Sequence, residues 1–333
     1  SIEFKKAIVA TGSKPIEIPN LKFDEKTILS STGALYLKKI PKSLAVVGGG
    51  YIGLELGTVY AKLGSKVTII EMTDQLLPGF EKRVVDILHK NLEKMNVSIY
   101  LNTKAEKYEN GKLIAASKEK GKVEITADAV LVAVGRYPNT KALGLENTKA
   151  SLDDKGFFKV DKNLRTTDEN IYAIGDVSIG PMLAHKASYQ GKHVAEVISG
   201  EKKEYVDAEV PSVIFTDPEI ATVGLSEKEA KEKGIKIKTG KFPFSVIARA
   251  MTKGSTDGFV RIIAAEKSEK ILGIEIVGAD ASDLIGEATL AIRMRTTLED
   301  MALTIHPHPT LSEGLMEAAE ATRGKAIHIL NPK

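Results

Sequence analysis

Short apolar runs alternate with longer amphipathic stretches in the first part of the chain. Lys6–Ala10 and Ser43–Val47 each have the length and composition of a strand and stop at glycine-containing turns. The stretch after Gly50 repeats apolar residues at helical spacing, and Lys66–Ile70 is again strand-like. This pattern predicts a strand–helix–strand unit, which is typical of α/β proteins with parallel strands.

The pattern then adds a helix, two hairpins and further buried strands. Phe80–Met95 predicts a helix and Val97–Leu101 a strand, while the turns at Asn110-Gly111 and Lys120-Gly121 predict two antiparallel strand pairs. Ala129–Val134 (AVLVAV) predicts a buried strand that ends at a glycine. The fold class predicted for this region is therefore α/β.

Two segments of the chain share one layout. Lys6–Pro15 and Val130–Pro138 each run strand, glycine, short polar step and proline, which predicts two related nucleotide-type domains. After Gly200 the composition changes, because Glu201–Tyr205 is rich in lysine and glutamate and predicts a linker. The mixture of strands and helices beyond it predicts a separate α+β domain.

Composition excludes several classes of protein. The chain has 333 residues, enough for two or three domains, and contains no cysteine. A disulfide framework, a thiolate metal site, an iron–sulfur cluster and a thiol nucleophile therefore cannot be built from this chain. The net charge of +3, spread over alternating lysine and glutamate, argues against nucleic acid as a partner. Apolar runs are far shorter than the roughly 18 residues that span a membrane, and no signal segment is present, so we expect a cytoplasmic protein.

Gly48, Gly50 and Gly53 form a Gly-x-Gly-x-x-Gly motif between a strand and a helix. The first glycine permits a tight turn, the second lets the main chain approach a pyrophosphate, and the third allows close helix–strand packing. Glu71 follows the next strand, where a carboxylate accepts hydrogen bonds from ribose hydroxyls. Met72–Phe80 contains no arginine to pair with a 2′-phosphate, so the motif predicts an NAD site rather than an NADP site. The alternative is a merely structural turn.

Gly175 and Asp176 follow another strand-like run, Asn170–Ile174. Taken alone, an acid at such a place is more often a cap or turn residue than a ligand group. The apolar stretch Pro181–His185 that follows is suited to opening a helix beside a flat ring, which favours a ligand site.

Two histidines precede an apolar helical pattern near the end of the chain. Glu313 lies five residues after His308, in the expected first helical turn, from which a carboxylate reaches an imidazole in the preceding loop and fixes its tautomer. His308 and Glu313 are therefore a candidate base and orienting carboxylate. Two alternatives stay open: a metal site of His306, His308 and Glu313, for which further ligands are not evident, and ordinary buried loop histidines.

Other charged segments have simpler interpretations. Glu227–Lys238 predicts a solvated helix face, and Asp217-Pro218-Glu219 predicts a turn rather than a carboxylate pair. His89, His193 and His328 have no motif context and are left unassigned.

Seven motifs resemble, in order, those of the dihydrolipoamide dehydrogenase family, which belongs to the FAD-dependent pyridine nucleotide–disulfide oxidoreductases. They are Ala10–Ser13 (ATGS), Gly48–Glu55 (GGGYIGLE), Val134–Asn139 (VGRYPN), Ile174–Val177 (IGDV), Met182–His185 (MLAH), Phe215–Glu219 (FTDPE) and His306–Glu313 (HPHPTLSE). The resemblance covers essentially the whole chain and implies Rossmann-like FAD- and NAD-binding domains, the FAD domain incomplete, with a C-terminal α+β dimerisation domain. The expected boundaries are 1–40 and 149–200 for the partial FAD-binding domain, 41–148 for the NAD-binding domain and 201–333 for the dimerisation domain.

The resemblance also implies which residues contact the cofactors. For FAD they are Thr11, Gly12, Ser13, Gly175, Asp176, Met182, Leu183, Ala184 and His185. For NAD they are Gly48, Gly49, Gly50, Tyr51, Ile52, Gly53, Glu55, Glu71, Ala105 and Gly135. His308 resembles the acid–base residue that takes a proton from a dihydrolipoyl dithiol, with Glu313 orienting it, and both reach the active site of the partner subunit of a homodimer. A lipoyl-bearing acyltransferase of a 2-oxo acid dehydrogenase complex is then an expected partner.

The chain departs from the family pattern at its start. Family members carry a further βαβ unit for FAD and a helix with two redox cysteines and a lysine, and Glu55 resembles the glutamate that pairs with that lysine. Only Ser1–Lys6 precede the first strand here, so we expect part of such an enzyme, inactive alone. The alternatives are a non-catalytic NAD-binding and dimerisation fragment, and another disulfide reductase or NADH oxidase of the superfamily.

Overall fold

The structure, a computed structural model, describes residues 2–205 and 209–331. These residues form two compact units, each assembled from two separate stretches of chain. The first unit contains the chain up to Ile18 and again from Val134 to Tyr205. The second contains Pro19–Ala133 and the chain from Glu209 to Asn331.

Strands and helices follow one another along both units. The strands in chain order are β1 (Ala7–Val9), β2 (Ser13–Pro15), β3 (Ile28–Leu29), β4 (Ser43–Val47), β5 (Lys66–Ile70), β6 (Ser98–Tyr100), β7 (Thr103–Glu109), β8 (Lys112–Ser117), β9 (Gly121–Thr126), β10 (Ala129–Val132), β11 (Arg136–Pro138), β12 (Ile171–Ala173), β13 (Ser212–Ile214), β14 (Glu219–Gly224), β15 (Ile237–Pro243), β16 (Phe259–Ala265) and β17 (Ile271–Gly278). The helices are α1 (Ser31–Leu35), α2 (Tyr51–Lys62), α3 (Lys82–Lys94), α4 (Ala184–Ile198), α5 (Glu227–Glu232), α6 (Ala248–Lys253), α7 (Ala281–Arg293), α8 (Leu298–Leu303) and α9 (Glu313–Thr322).

The first unit pairs strands from the start of the chain with strands from its middle. β1 lies parallel to β12, and β2 lies antiparallel to β11. Because parallel strands present their carboxyl ends at one edge, the turns that follow β1 and β12 are neighbours. Leu164, Tyr172 and Val194 form an apolar cluster that packs α4 against β12. This packing places the start of α4 beside the turn after β12.

A parallel sheet forms the first part of the second unit, with strand order β3-β10-β4-β5-β6. Val46 and Ile69 are fully buried, as expected for strands covered on both faces, and Leu54 of α2 and Leu88 of α3 belong to the same core. β7, β8 and β9 form a separate antiparallel sheet whose turns lie at the two predicted places. The predicted strand–helix–strand unit and both hairpins are therefore present.

An antiparallel sheet forms the rest of the second unit, with strand order β13-β14-β17-β16-β15. Ile262, Ile276 and Leu315 belong to the core between this sheet and the helices, among which α9 lies against β15 and β16. Gly240 permits that approach, since a Cβ there would lie 2.3 Å from the main-chain nitrogen of Thr322. The approach fixes α9 against the sheet.

The boundaries of the two units differ from the domain boundaries expected from the sequence. Residues 19–40 group with the second unit because β3 pairs with β10, and residues 134–148 group with the first because β11 pairs with β2.

The expected helix face at Glu227–Lys238 is corrected by the structure. Helix α5 ends at Glu232, Gly234 turns the chain at a φ of +68°, and β15 begins at Ile237. In the described part of the chain, every helix falls short of the length and apolar character needed to span a bilayer.

Candidate functional site

The glycine motif forms the turn between β4 and α2. Gly48 has a φ of +109°, a conformation that favours glycine, and its N–H donates to the carbonyl of Ile70 at 2.8 Å. A Cβ at Gly53 would lie 2.1 Å from the carbonyl oxygen of Gly48, so the close packing of α2 requires glycine. A Cβ at Gly50 would meet nothing within 4 Å, which leaves the start of α2 open to a phosphate group. These three positions fit the pyrophosphate of a dinucleotide.

Glu71 follows β5 and borders the same turn. Its Oε2 accepts a hydrogen bond from the N–H of Gly49 at 2.6 Å, and its Oε1 accepts from both the N–H and the hydroxyl of Thr73 at 2.8 Å. Oε2 retains a lone pair for a ribose hydroxyl. Ala105 lies buried on β7, two residues beyond Thr103, whose N–H donates to the Glu71 carbonyl at 2.9 Å. The structure thus brings Glu71 to the glycine turn and sets the Ala105 strand beside it.

Tyr51, Ile52 and Glu55 lie on the first turns of α2. The Glu55 carboxylate is engaged outside the glycine turn, because its Oε1 accepts a hydrogen bond from the N–H of Phe215 at 2.9 Å. Burial raises the pKa of Glu55, and the bond from Phe215 offsets only part of that effect. Glu55 therefore links α2 to the segment that follows β13.

Two segments expected to contact FAD meet in the first unit. Thr11–Ser13 follows β1, Gly175 and Asp176 follow β12, and the hydroxyl of Ser13 donates to Oδ2 of Asp176 at 2.5 Å. Gly12 and Gly175 have φ angles of +71° and +69°, so each turn uses a conformation that glycine favours. Polar groups at the carboxyl ends of adjacent parallel strands fit a nucleotide cofactor.

Arg136 and Asn139 tie these turns together, although sequence reasoning did not select them as site residues. The Nε of Arg136 donates to Oγ of Ser13 at 2.7 Å and its Nη2 donates to the Ser13 carbonyl at 2.8 Å. The N–H of Asn139 donates to the Gly12 carbonyl at 2.8 Å. Gly135, expected to contact NAD, belongs to this same unit and has a φ of +128°. The repeated strand–glycine–proline layout predicted two related domains and did not indicate this pairing, which joins both segments in one unit.

The segment Met182–His185 leads into α4, which supplies two further unforeseen residues. Lys186 is 2% exposed, and its Nζ donates to the carbonyls of Gly175 at 3.0 Å and Ile179 at 2.8 Å. The Oε1 of Gln190 accepts from the N–H of Gly175 at 2.8 Å, while its Nε2 is buried with no partner among the described residues. α4 therefore holds the turn that carries the expected flavin contacts, and no local sequence motif signals it.

The loop before α9 brings His308 and Glu313 together as expected. His308 Nδ1 lies 2.8 Å from Glu313 Oε1, and Glu313 Oε2 accepts a hydrogen bond from the N–H of Thr310 at 2.8 Å. Burial raises the pKa of Glu313, but the hydrogen bonds from Thr310 and His308 outweigh it and leave this pKa below its ordinary value. The imidazole is 68% exposed, so Nδ1 is fixed while the ring can meet an incoming group. This arrangement is able to move a proton.

His306 is engaged elsewhere. Its Nε2 lies 2.9 Å from Oε1 of Glu287 on α7, and its Nδ1 lies 2.8 Å from the carbonyl of Thr304. Across residues 2–205 and 209–331, no group of three or more histidine, aspartate and glutamate side chains is placed to hold a metal ion. The geometry therefore gives no support to a metal site at His306, His308 and Glu313.

Two family models match the chain. The model described as pyridine nucleotide-disulphide oxidoreductase matches residues 1–191. The model of the dimerisation domain of the same oxidoreductases matches residues 210–319. The two matches together cover most of the chain.

Curated proteins and solved structures resemble the chain along almost its whole length. It is 49% identical over 331 residues to a dihydrolipoyl dehydrogenase of Bacillus subtilis (strain 168) and 49% identical over 330 residues to one of Geobacillus stearothermophilus, each alignment covering 98% of this chain and 70% of the relative. The flavoprotein disulfide reductase RclA from Escherichia coli superposes with a TM-score of 0.86 at 29% identity, covering 95% of this chain and 73% of RclA. LpdA from Mycobacterium tuberculosis superposes with a TM-score of 0.87 at 29% identity, covering 95% of this chain and 69% of LpdA.

Proposed function

This chain belongs to the pyridine nucleotide-disulphide oxidoreductase family, and we propose that it acts as a dihydrolipoyl dehydrogenase. In that reaction a dihydrolipoyl dithiol is oxidised to the disulfide, NAD⁺ is reduced to NADH, and one proton is released. Members of the family use FAD and NAD, which when bound supply the acceptors for the two electrons. The observation that carries the proposal is the His308–Glu313 pair, because a dithiol must lose its protons as it is oxidised.

His308 is the proposed general base for the thiol. Glu313 accepts the Nδ1–H of the imidazole, which leaves Nε2 as the nitrogen that takes the proton from the substrate sulfur. Thr310 holds the second oxygen of Glu313, so the carboxylate keeps its orientation while the imidazole gains and loses its proton. The negative charge of Glu313 also stabilises the imidazolium that forms.

The residues of the two nucleotide segments have separate proposed tasks. The turn from Gly48 to Gly53 and the start of α2 bind the pyrophosphate of NAD, and Glu71 accepts hydrogen bonds from its ribose. The turn from Thr11 to Ser13 and Asp176 bind FAD.

We also propose that the chain acts as a homodimer through its dimerisation domain. Large apolar side chains are exposed on α7, on α8 and just before His306; Leu290, Met294, Leu303 and Ile305 are 61%, 69%, 72% and 94% exposed. The exposure of these side chains supports a dimer contact close to the acid–base pair, because a partner copy would remove them from water. A lipoyl-bearing acyltransferase of a 2-oxo acid dehydrogenase complex is the proposed source of the dithiol.

A second candidate is a non-catalytic NAD-binding and dimerisation module. The observation that favours it is the absence of cysteine from the 333 residues, because the chain cannot form a disulfide of its own to exchange electrons with a dithiol. The same observation predicts that this chain by itself does not turn over. The FAD-loaded enzyme used in the kinetic tests consists of these 333 residues joined to a segment that supplies the redox disulfide, with FAD bound. Its substrate profile separates a dihydrolipoyl dehydrogenase from another disulfide reductase or an NADH oxidase.

One experiment measures NADH binding by calorimetry and dihydrolipoamide-dependent NADH formation on the same protein. In the FAD-loaded enzyme, His308→Gln is expected to lower kcat with dihydrolipoamide by about 10²- to 10⁴-fold, since a general base contributes that much. His89→Gln on α3 is the matched control and is expected to keep the parent rate.

Each outcome favours one candidate. Turnover that His308→Gln reduces supports the dehydrogenase, and unchanged turnover in that variant would refute the role of His308. NADH binding without turnover, both in this chain and in the FAD-loaded enzyme that carries the redox disulfide, would replace the dehydrogenase with the binding module.

A further inference from the structure

A further imidazole–carboxylate pair, besides His308–Glu313 and His306–Glu287, lies close to the end of the chain. His328 Nδ1 is 2.5 Å from Oε1 of Glu317, which is on α9. Glu317 is 5% exposed, and its Oε2 is sealed from solvent with no hydrogen-bond partner among the described residues. The His328 imidazole therefore faces a buried carboxylate that has few other groups to stabilise its charge.

The His308–Glu313 and His328–Glu317 pairs line the same small cavity. This cavity has a volume of about 150 Å³ and an apolar wall formed by Phe242, Val246, Ile247 and Ala248. Its polar lining is His308, Glu313, Glu317 and His328. Glu313 and Glu317 are four residues apart on α9, which puts both carboxylates on one face of the helix.

The two carboxylates on this face, Glu313 and Glu317, differ in the groups that stabilise their negative charge. Burial raises the pKa of Glu313, but bonds from Thr310 and His308, with the nearby His306, lower it below its usual value. Glu317 is bonded to the His328 imidazole at Oε1, and no donor meets Oε2 within the described residues. Two negative charges at this spacing repel, so each imidazole that carries a proton relieves the repulsion.

Charged groups on the elements packed against α9 are committed to other partners. On β15, Lys238 pairs with Glu269 and Lys241 lies over the ring of Phe259. On β16, Arg261 binds Glu81, Glu227 and Glu275. On α8, Glu299 pairs with Arg323, and Asp300 accepts a hydrogen bond from the Thr297 hydroxyl at the start of the helix. On α9 itself, Glu320 lies outside the cavity lining. His306, which also acts on Glu313, is paired with Glu287, so the four cavity residues are the titratable groups that line the cavity itself.

We propose that Glu317 and His328 are positioning residues for His308, so that the two pairs form one acid–base cluster. The negative charge of Glu317 favours the protonated form of His308, and a proton on His328 cancels part of that effect. His328 thereby sets how readily His308 keeps a proton taken from a thiol. The catalytic part of this inference rests on the proposed function, whereas the coupling between the imidazoles does not.

The coupling is measured by NMR titration of the imidazole signals of this chain, which has six histidines. Glu317→Gln is expected to move the titration of His308 to lower pH by about half a unit or more, roughly a threefold change in proton affinity, because a nearby negative charge is removed. Glu320→Gln, which removes a charge from the same helix outside the cavity, is the matched control and is expected to give less than half that shift. The His308→Gln spectrum assigns the signal.

The His328→Asn variant separates charge from geometry. Asparagine keeps a side-chain N–H that donates to Glu317 but cannot take a proton. The titration of His308 is therefore expected to move to higher pH and no longer to be coupled to the titration of a second imidazole. Should Glu317→Gln fail to fold, His328→Asn alone gives the charge test, and Glu317→Asp, which keeps the negative charge, is expected to keep the titration of His308 close to that of the parent. A His308 titration that neither Glu317→Gln nor His328→Asn changes would overturn the proposal.

The catalytic consequence is tested separately. In the FAD-loaded enzyme, Glu317→Gln is expected to move the acidic limb of the kcat/KM profile for dihydrolipoamide to lower pH, with KM for NAD⁺ unchanged. An NMR shift without this kinetic shift would keep the cluster and remove His308 from the proposed reaction. Loss of both shifts would reject the cluster itself.

Discussion

The carboxylate of Glu55 shows how the balance between burial and hydrogen-bond donors decides the state of a single residue. Burial raises the pKa of Glu55, and the bond from the Phe215 N–H offsets only part of the effect. Glu313 is also partly buried, but Thr310 and His308 both donate to it and its pKa is lowered. The donors around each carboxylate therefore decide whether the folded protein favours its charged form.

Replacement of Glu55 by glutamine is expected to stabilise this chain at pH 7.5 by a few tenths to about 1 kcal/mol. Glutamine keeps an acceptor for the Phe215 N–H and carries no charge to desolvate. Because the folded-state pKa of Glu55 is raised, the parent protein loses stability as the pH rises from the unfolded-state pKa through the folded-state pKa, and the two proteins converge at lower pH. Urea unfolding at several pH values measures this difference.

The control for this prediction is Glu119→Gln in the exposed turn between β8 and β9, which is expected to change the free energy of unfolding by less than about 0.5 kcal/mol. A Glu55→Gln protein that is less stable than the parent at pH 7.5, or equal gains in both variants, would contradict the account of Glu55.

Site residues whose partners lie in one local motif could be found from the sequence. Glu313 could be placed beside His308 because five residues separate them and a helix begins at Glu313. Lys186 and Arg136 could not, because their partners come from turns that only the folded chain brings near. His328 was unassigned for the same reason, since its carboxylate partner lies on α9, outside any recognisable motif.

At the scale of elements, glycine positions set how closely helices approach strands. Gly53 places α2 against the turn after β4, and Gly240 places α9 against β15. The glycine motif and the following apolar helix pattern predicted the first contact. The second is not visible in the sequence because β15 begins inside the charged stretch Glu227–Lys238 and itself carries Lys238 and Lys241.

Gly53→Ala is expected to lower the free energy of unfolding by about 1 to 3 kcal/mol, because its Cβ would collide with the Gly48 carbonyl and force α2 away from β4. The same shift moves the start of α2, so NADH affinity measured by calorimetry is expected to fall as well. Gly286→Ala on α7 is the matched control: its Cβ meets nothing within 4 Å, and the change is expected to stabilise the protein by up to about 1 kcal/mol. Equal effects of the two substitutions, or unchanged NADH affinity in Gly53→Ala, would argue against this role for Gly53.

At the scale of the whole molecule, the pairing of distant stretches decides which residues share a unit. The strand–glycine–helix order was sufficient to predict the α/β class and a later α+β region. The compact units group residues 19–40 and 134–148 differently from the expected domains, because β3 joins β10 and β2 joins β11 across the chain. Such pairings form through backbone hydrogen bonds at the edges of sheets, and these bonds leave no periodic pattern of residues in the local sequence.

A buried cation holds the two stretches of the second unit together. Arg261 of β16 is 2% exposed and binds Glu275 of β17 at 3.0 Å, Glu227 at the start of α5, and Glu81 at 3.4 Å, directly before α3. Lys231 and Arg261 hold the pKa of Glu227 at about 2. Glu227 therefore stabilises the folded state above its unfolded-state pKa, and this contribution disappears as the pH falls toward 2.

Arg261→Met is expected to lower the free energy of unfolding by about 3 kcal/mol, because Glu275 is left buried without its cation. The double variant Arg261→Met/Glu275→Leu is expected to regain at least about half of this loss, since an apolar pair on neighbouring strands replaces the ion pair. Urea unfolding at pH 7 measures both, with the exposed Arg249→Met as a control expected to stay within about 0.5 kcal/mol of the parent. Additive losses in the double variant would show that Arg261 stabilises the unit by packing rather than by charge.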